Sequence, residues 1–244
     1  MKKIICFILC LLAYSVAFAQ CPTGNLEFYE QAEIDGFLAN YPNCTMLSGN
    51  LLIGADQINN LDGFANLTSI EGYLYIGYTA ITNVDGLANL SSIGGGIEIT
   101  ENDILTNIDG LGSLSTVGYI TIDWNDMLTN VDGLSNISSV ENGNVFIVGN
   151  PMLADCCGIF PLLDSEDIGG DIIIGSNLPS CNSQAEISEF CENNTTNDPC
   201  PIGSIILNSQ AEVEAFLVDY PNCTMLSGLT INGADITNLD SFLN

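Results

Sequence analysis

A five-residue phrase, Asn-hydrophobic-Asp-Gly-hydrophobic, occurs at residues 60–64, 83–87, 107–111 and 130–134, in steps of 23, 24 and 23 residues. A fixed period of this size leaves few folds open. Each repeat is one coil of a solenoid, too small to bury its own apolar edge and stable only when stacked on its neighbours.

A second pattern runs in phase with the first. Short alternating trios follow at Leu51-Leu52-Ile53, Leu74-Tyr75-Ile76, Ile97-Glu98-Ile99, Ile120-Thr121-Ile122, Val145-Phe146-Ile147 and Ile172-Ile173-Ile174. In a strand, alternate residues share a face, so the first and third of each trio form aliphatic core columns of a parallel sheet. The middle residues form an outward column: Leu52, Tyr75, Glu98, Thr121, Phe146 and Ile173. Tyr73 and Tyr119 flank it, with Tyr78 and Trp124 on the adjacent edge. Three residues past the trios stand Asp56, Thr79, Asn102, Asn125, Asn150 and Asn177, a stack whose asparagines bond the backbone of the neighbouring turn.

A solenoid needs closed ends. Residues 30–40 place Ile34, Phe37 and Leu38 at helical spacing before Tyr41-Pro42, and Ser183 with Glu186 has capping-box spacing ahead of Ile187, Phe190 and Cys191. The expected fold is mainly β: a right-handed parallel β-helix or leucine-rich-repeat-like solenoid with coils of about 23–25 residues and short capping helices. A longer repeat overlies it, because residues 21–49 return as residues 200–228. The expected organisation is a signal peptide at 1–19, a solenoid at 20–191, a linker at 192–199 and the truncated start of a second solenoid at 200–244.

The cysteine-bounded cap from Cys21 to Cys44, the repeated NLDGL-type turns, the linkers LTSIEGYLYI and LSTVGYITI, and the cysteine-rich close at ADCCGIFPLL and CNSQAEISEFC resemble the receptor L domain. This is the leucine-rich β-helical module of insulin and epidermal growth factor receptor ectodomains, with secreted bacterial relatives. The resemblance implies a non-enzymatic module that binds partners through a sheet face.

The only bases are Lys2 and Lys3, followed by an apolar run and Ala17-Phe18-Ala19, the pattern of an export signal. Beyond them stand 30 acids and no Lys, Arg or His. Nucleic acid and anionic membranes, which are recognised through basic side chains, are thereby excluded as partners. The eight cysteines after the signal, Cys21, Cys44, Cys156, Cys157, Cys181, Cys191, Cys200 and Cys223, are expected as disulfides in an extracellular setting. Cys21 with Cys44 and Cys200 with Cys223 each close a cap. Cys156 and Cys157 pair with Cys181 and Cys191 in an order the spacing leaves open.

No base is available for a catalytic triad, and no lysine for a Schiff base or a phosphate clamp, so no enzyme is expected. Carboxylate-pair glycosidase chemistry is the alternative, with no pair singled out. No cofactor is required. Calcium has one candidate place, the stacked Asp62, Asp85, Asp109 and Asp132; the competing account is Asp-Gly turn chemistry, with Asp bonding local amides and Gly at positive φ. The expected role is a secreted or cell-surface module, present in tandem copies, that recognises protein or glycan in adhesion. The expected binding face is Tyr73, Tyr75, Glu98, Tyr119, Thr121, Phe146 and Trp124. A spacer stalk without ligand is the remaining reading, in which β-branched and aromatic residues simply cover one another.

Overall fold

The alternating trios build the fold. In the computed structural model, which describes residues 20–140, 143–165, 167–195, 204–219 and 228–239, every trio is part of a strand. The chain enters through β1 (Leu26–Phe28) and helix α1 (Gln31–Asn40), then winds through β2 (Met46–Leu47), β3 (Leu51–Ile53), β4 (Ser69–Ile70), β5 (Leu74–Gly77), β6 (Ser92–Ile93) and β7 (Ile97–Thr100). It continues through β8 (Thr116–Val117), β9 (Ile120–Asp123), β10 (Ser139–Val140), β11 (Val145–Val148), helix α2 (Phe160–Ser165), β12 (Ile172–Gly175) and helix α3 (Gln184–Thr195).

One seven-stranded sheet, in the order β1-β3-β5-β7-β9-β11-β12, is parallel throughout. Its first core column, Leu51, Leu74, Ile97, Ile120 and Val145, is in direct register and fully buried. Burying each such side chain stabilises the fold by about 1.5–3 kcal/mol. The two-residue strands form narrow parallel sheets, β2-β4-β6 and β8-β10.

The Asp-Gly phrases form 3-10 turns at Asp62–Phe64, Asp85–Leu87, Asp109–Leu111 and Asp132–Leu134. Two expectations about them fail. The asparagine bonds the local amide, not the aspartate: Asn60, Asn83, Asn107 and Asn130 each accept through Oδ1 from the Asp amide two residues on, at 3.0–3.3 Å. Nor are the glycines at positive φ; among the described residues only Gly24 and Gly149 are. Gly63, Gly86, Gly110 and Gly133 are buried where a Cβ would run into backbone, of helix α1 at Ile34 for Gly63 and of the preceding coil for the other three. Close approach of coils, not turn geometry, demands glycine there.

The asparagine stack is a buried ladder. Thr79, Asn102, Asn125 and Asn150 donate their backbone amides to the Oδ1 of Asn102, Asn125, Asn150 and Asn177 in turn, at 3.0–3.2 Å. Each of these asparagines also donates Nδ2 to a strand carbonyl, of Ile76, Ile99, Ile122 or Ile147, at 3.0–3.1 Å. Asp56, expected in the stack, is exposed, and the ladder starts at Thr79.

At the N-terminal end, α1 buries Ile34 and Phe37. The rings of Phe28, Phe37 and Phe64 pack with centroids 5.0–5.8 Å apart, and Cys21–Cys44 ties the cap shut. At the other end the pairing that spacing left open is Cys156–Cys181 and Cys157–Cys191. Ser183 Oγ accepts from the Glu186 amide at 3.2 Å, and Glu186 reaches back to the amide of Asn182, one residue before the expected one. Helix α2 was not anticipated. Farther on, β13 (Ser204–Leu207), helix α4 (Gln210–Asp219) and β14 (Gly228–Ile231) repeat the element order of β1, α1 and β3, with β13 and β14 paired in parallel. The first half of the proposed linker, residues 192–195, belongs to α3, which runs on through Thr195; residues 196–199, the proposed leader at 1–19, Cys200 and Cys223 lie outside the described residues.

Candidate functional site

Strand alternation fixes what the large sheet shows on its outer side. Glu27, Leu52, Tyr75, Glu98, Thr121, Phe146 and Ile173 occupy one cross-strand register line. Neighbours on such a line stand about 4.8 Å apart. Tyr75, Glu98, Thr121 and Phe146 are half-buried, leaving part of each side chain available.

Tyr73 and Tyr119 lie one residue before the buried first positions of β5 and β9 and are also half-buried. Between them in the stack is Gly96, where a Cβ would collide with the Tyr119 ring, so the glycine lets that ring lie across the coil. An open depression of about 370 Å³ is lined by Tyr119, Thr121, Gly143, Asn144 and Phe146.

Charge on this face is negative. Glu98 has its pKa raised above the ordinary carboxylate value, by burial first and by Asp123 second. The Tyr75 phenol is pushed up by burial first, then by Tyr78, Glu98, Glu101 and Asp123; the Tyr119 phenol rises through burial, Glu98 and Tyr73. Both phenols are therefore protonated at neutral pH and able to donate. Asp123 shares the outer side of β9 with Thr121, and its Oδ1 is buried without a hydrogen-bond partner. Sequence reasoning passed over Asp123 because nothing in the periodicity distinguishes it.

Trp124 does not join the face. Alternation would aim residue 124 inward, but its backbone is left-handed (φ 55°), which turns the indole out and delivers Asn125 to the core. Tyr78 and Glu101 occupy the same coil position with φ 57° and 52°, and the Tyr78 hydroxyl donates to Glu101 Oε1 at 2.7 Å. These residues form a ledge beside the sheet, with an open recess of about 330 Å³ lined by Glu101, Asp103, Trp124 and Asp126. The repeated turns Asn-Asp-Ile-Leu, Asn-Asp-Met-Leu and Asn-Pro-Met-Leu, at residues 102–105, 125–128 and 150–153, were the signal for this ledge.

The aspartates considered for calcium, Asp62, Asp85, Asp109 and Asp132, are exposed at the starts of the 3-10 turns. Asp132 has a raised pKa, through burial first, then Asp155 and Asp109. Among the described residues no three acids or cysteines gather as a metal site, and no helix is long and apolar enough to cross a membrane.

Comparison with curated proteins and with solved structures yields no match. The segment that carries the Tyr75-to-Phe146 line, residues 43–157, matches the family model of the receptor L domain.

Proposed function

We propose that this chain is a non-enzymatic binding module, exported and displayed outside the cell, that engages a protein or glycan through the outer face of its large sheet. The observation that carries this reading is the register line Tyr75-Glu98-Thr121-Phe146, left half-exposed beside Tyr73 and Tyr119 within a segment matching a receptor ligand-binding family. Flat aromatic rings with protonated phenols suit apolar contact with single hydrogen bonds. A spacer stalk has no need to leave such rings uncovered. The disulfides support an oxidising compartment. The return of residues 21–49 at 200–228 supports tandem copies, which raise avidity without altering a single contact.

The test is a glycan-array and surface-protein screen with the secreted chain, run with calcium and with EDTA. A specific ligand lost in a Tyr75→Ala, Phe146→Ala variant is expected; binding that survives both changes would move recognition elsewhere. Calcium dependence would assign a cation to the aspartate column. The second reading, carbohydrate cleavage, has one observation in its favour: Glu98 has its pKa raised partly by Asp123, as an acid and a base in one site would require. Turnover of a polysaccharide that disappears in Glu98→Gln would replace the binding reading with that one.

A further inference from the structure

We infer that the ledge beside the sheet is a second interaction surface, and that it docks a cationic protein segment presenting a Lys or Arg next to apolar side chains. Three features converge on it.

The first is an open aromatic platform. The Trp124 indole lies over Gly149, where a Cβ would be 3.1 Å from Cδ2 and Cε3 and 3.3 Å from Cε2, so one face of the indole is seated on backbone while 57% of the residue stays exposed. The second is its surround. Glu101, Asp103 and Asp126 line the same recess, and no Lys, Arg or His follows Lys3 anywhere in the sequence to neutralise them. A cation over an indole face, ringed by carboxylates, is held by both the ring quadrupole and the charges. No side chain between residues 4 and 244 can supply such a cation.

The third is a row of apolar tips. Leu105, Leu128 and Leu153 donate their amides to the Asn102, Asn125 and Asn150 carbonyls at 3.0–3.2 Å, so three equivalent turns are closed one coil apart. Their tips carry Ile104, Met127 and Met152, exposed by 45–48%. A bare ion would satisfy the carboxylates and leave these side chains unused, whereas a protein segment with alternating basic and apolar residues meets both.

The ledge is independent of the face, because its residues lie off the Tyr75-to-Phe146 line. The experiment uses the secreted chain, with EDTA, at about 0.15 M salt, and fluorescence anisotropy. The probes are an amphipathic peptide of Lys and Leu and a Lys and Ser peptide of equal length and charge. The Lys/Leu peptide is expected to bind at least about tenfold more tightly. Trp124→Ala, and separately Met127→Ser with Met152→Ser, each weaken it about tenfold. Neutralising Glu101, Asp103 and Asp126 to Gln, Asn and Asn does the same and flattens the salt dependence. Removing three charges elsewhere, with Asp62→Asn, Asp85→Asn and Asp109→Asn, changes affinity less than about twofold. Equal losses for the two charge triples, equal binding of the two peptides, unchanged affinity in both the Trp124 and the methionine variants, or no binding at all overturns the assignment. Variants in Tyr75 and Phe146 leave peptide binding intact, so failure of the face and failure of the ledge give different results.

Discussion

Asn125 Oδ1 accepts two hydrogen bonds from Asn102, one from its backbone amide at 3.2 Å and one from its Nδ2 at 3.1 Å, with both side chains fully buried. Asn125 Nδ2 meanwhile donates to the carbonyls of Ile99 and Asp123 at 3.0 Å. Truncation to alanine strands groups on two coils at once. Asn125→Ala is therefore expected to lose about 2–4 kcal/mol in urea unfolding, and Asn125→Asp more, because a buried carboxylate would face those same carbonyls. An alanine variant within about 0.5 kcal/mol of the parent would mean that water replaces the side chain.

Two glycines should respond in opposite directions to the same added methyl. At Gly110 a Cβ would stand 2.6 Å from the Val84 carbonyl carbon and 2.9 Å from Asp85 Cα, so two coils must part. Gly110→Ala should destabilise by about 1–3 kcal/mol or more. In α1, Gly36 has only Asn40 Nδ2, at 3.4 Å, near its Cβ position. Gly36→Ala should stabilise by about 0.5–1 kcal/mol. Thermal melts of the two variants side by side check both signs.

Acidification should strengthen the sheet face. The Glu98 carboxyl has a raised pKa in the fold, by burial and then by Asp123, so the folded chain holds that proton more tightly than the unfolded one. Stability from this group is complete below the ordinary carboxylate value and is lost as pH rises through the raised value. Glu98→Gln is expected to melt higher than the parent at neutral pH, with the difference vanishing below about pH 4. An offset that stays constant across the pH series would exclude Glu98 titration as its cause.

The Cys157–Cys191 bridge spans 34 residues and joins the last coil to α3. Replacing both cysteines by serine should cost about 3–4 kcal/mol through loop-closure entropy. Hydrogen exchange provides the sharper readout: amides of α3 should lose protection before those of β7 and β9.

The strand trios and both end caps were legible because two periodicities, one of two residues and one of about 23, agree on the same aliphatic positions. Helix α2 was not, since six residues with Pro161 near the start offer no helical period to read. The glycines of the Asp-Gly phrases misled for a definite reason: positive φ and a close backbone approach demand the same residue, and only the stacked coils separate the two causes. Cys156 and Cys157 are equivalent in sequence, and their partners are settled by where Cys181 and α3 fall. At the candidate site, the Tyr75-to-Phe146 line followed from alternation alone. Of the ledge, Tyr78 and Trp124 were legible as residues of the adjacent edge; Glu101 and the apolar tips were not, because the left-handed residues at that coil position break alternation where it would have been extrapolated.

The asparagine ladder also makes coil number an adjustable quantity. Asn102, Asn125 and Asn150 each present the same acceptor to the coil before and the same donor to the coil after, and the series ends where Asn177 donates its amide to Asn182 Oδ1 just ahead of α3. Cutting out the stretch from one asparagine to the next, or copying it, restores every bond at the splice. Such a chain lengthens or shortens its recognition surface in whole steps, as a ruler is extended by its own divisions, while both end caps stay as they are.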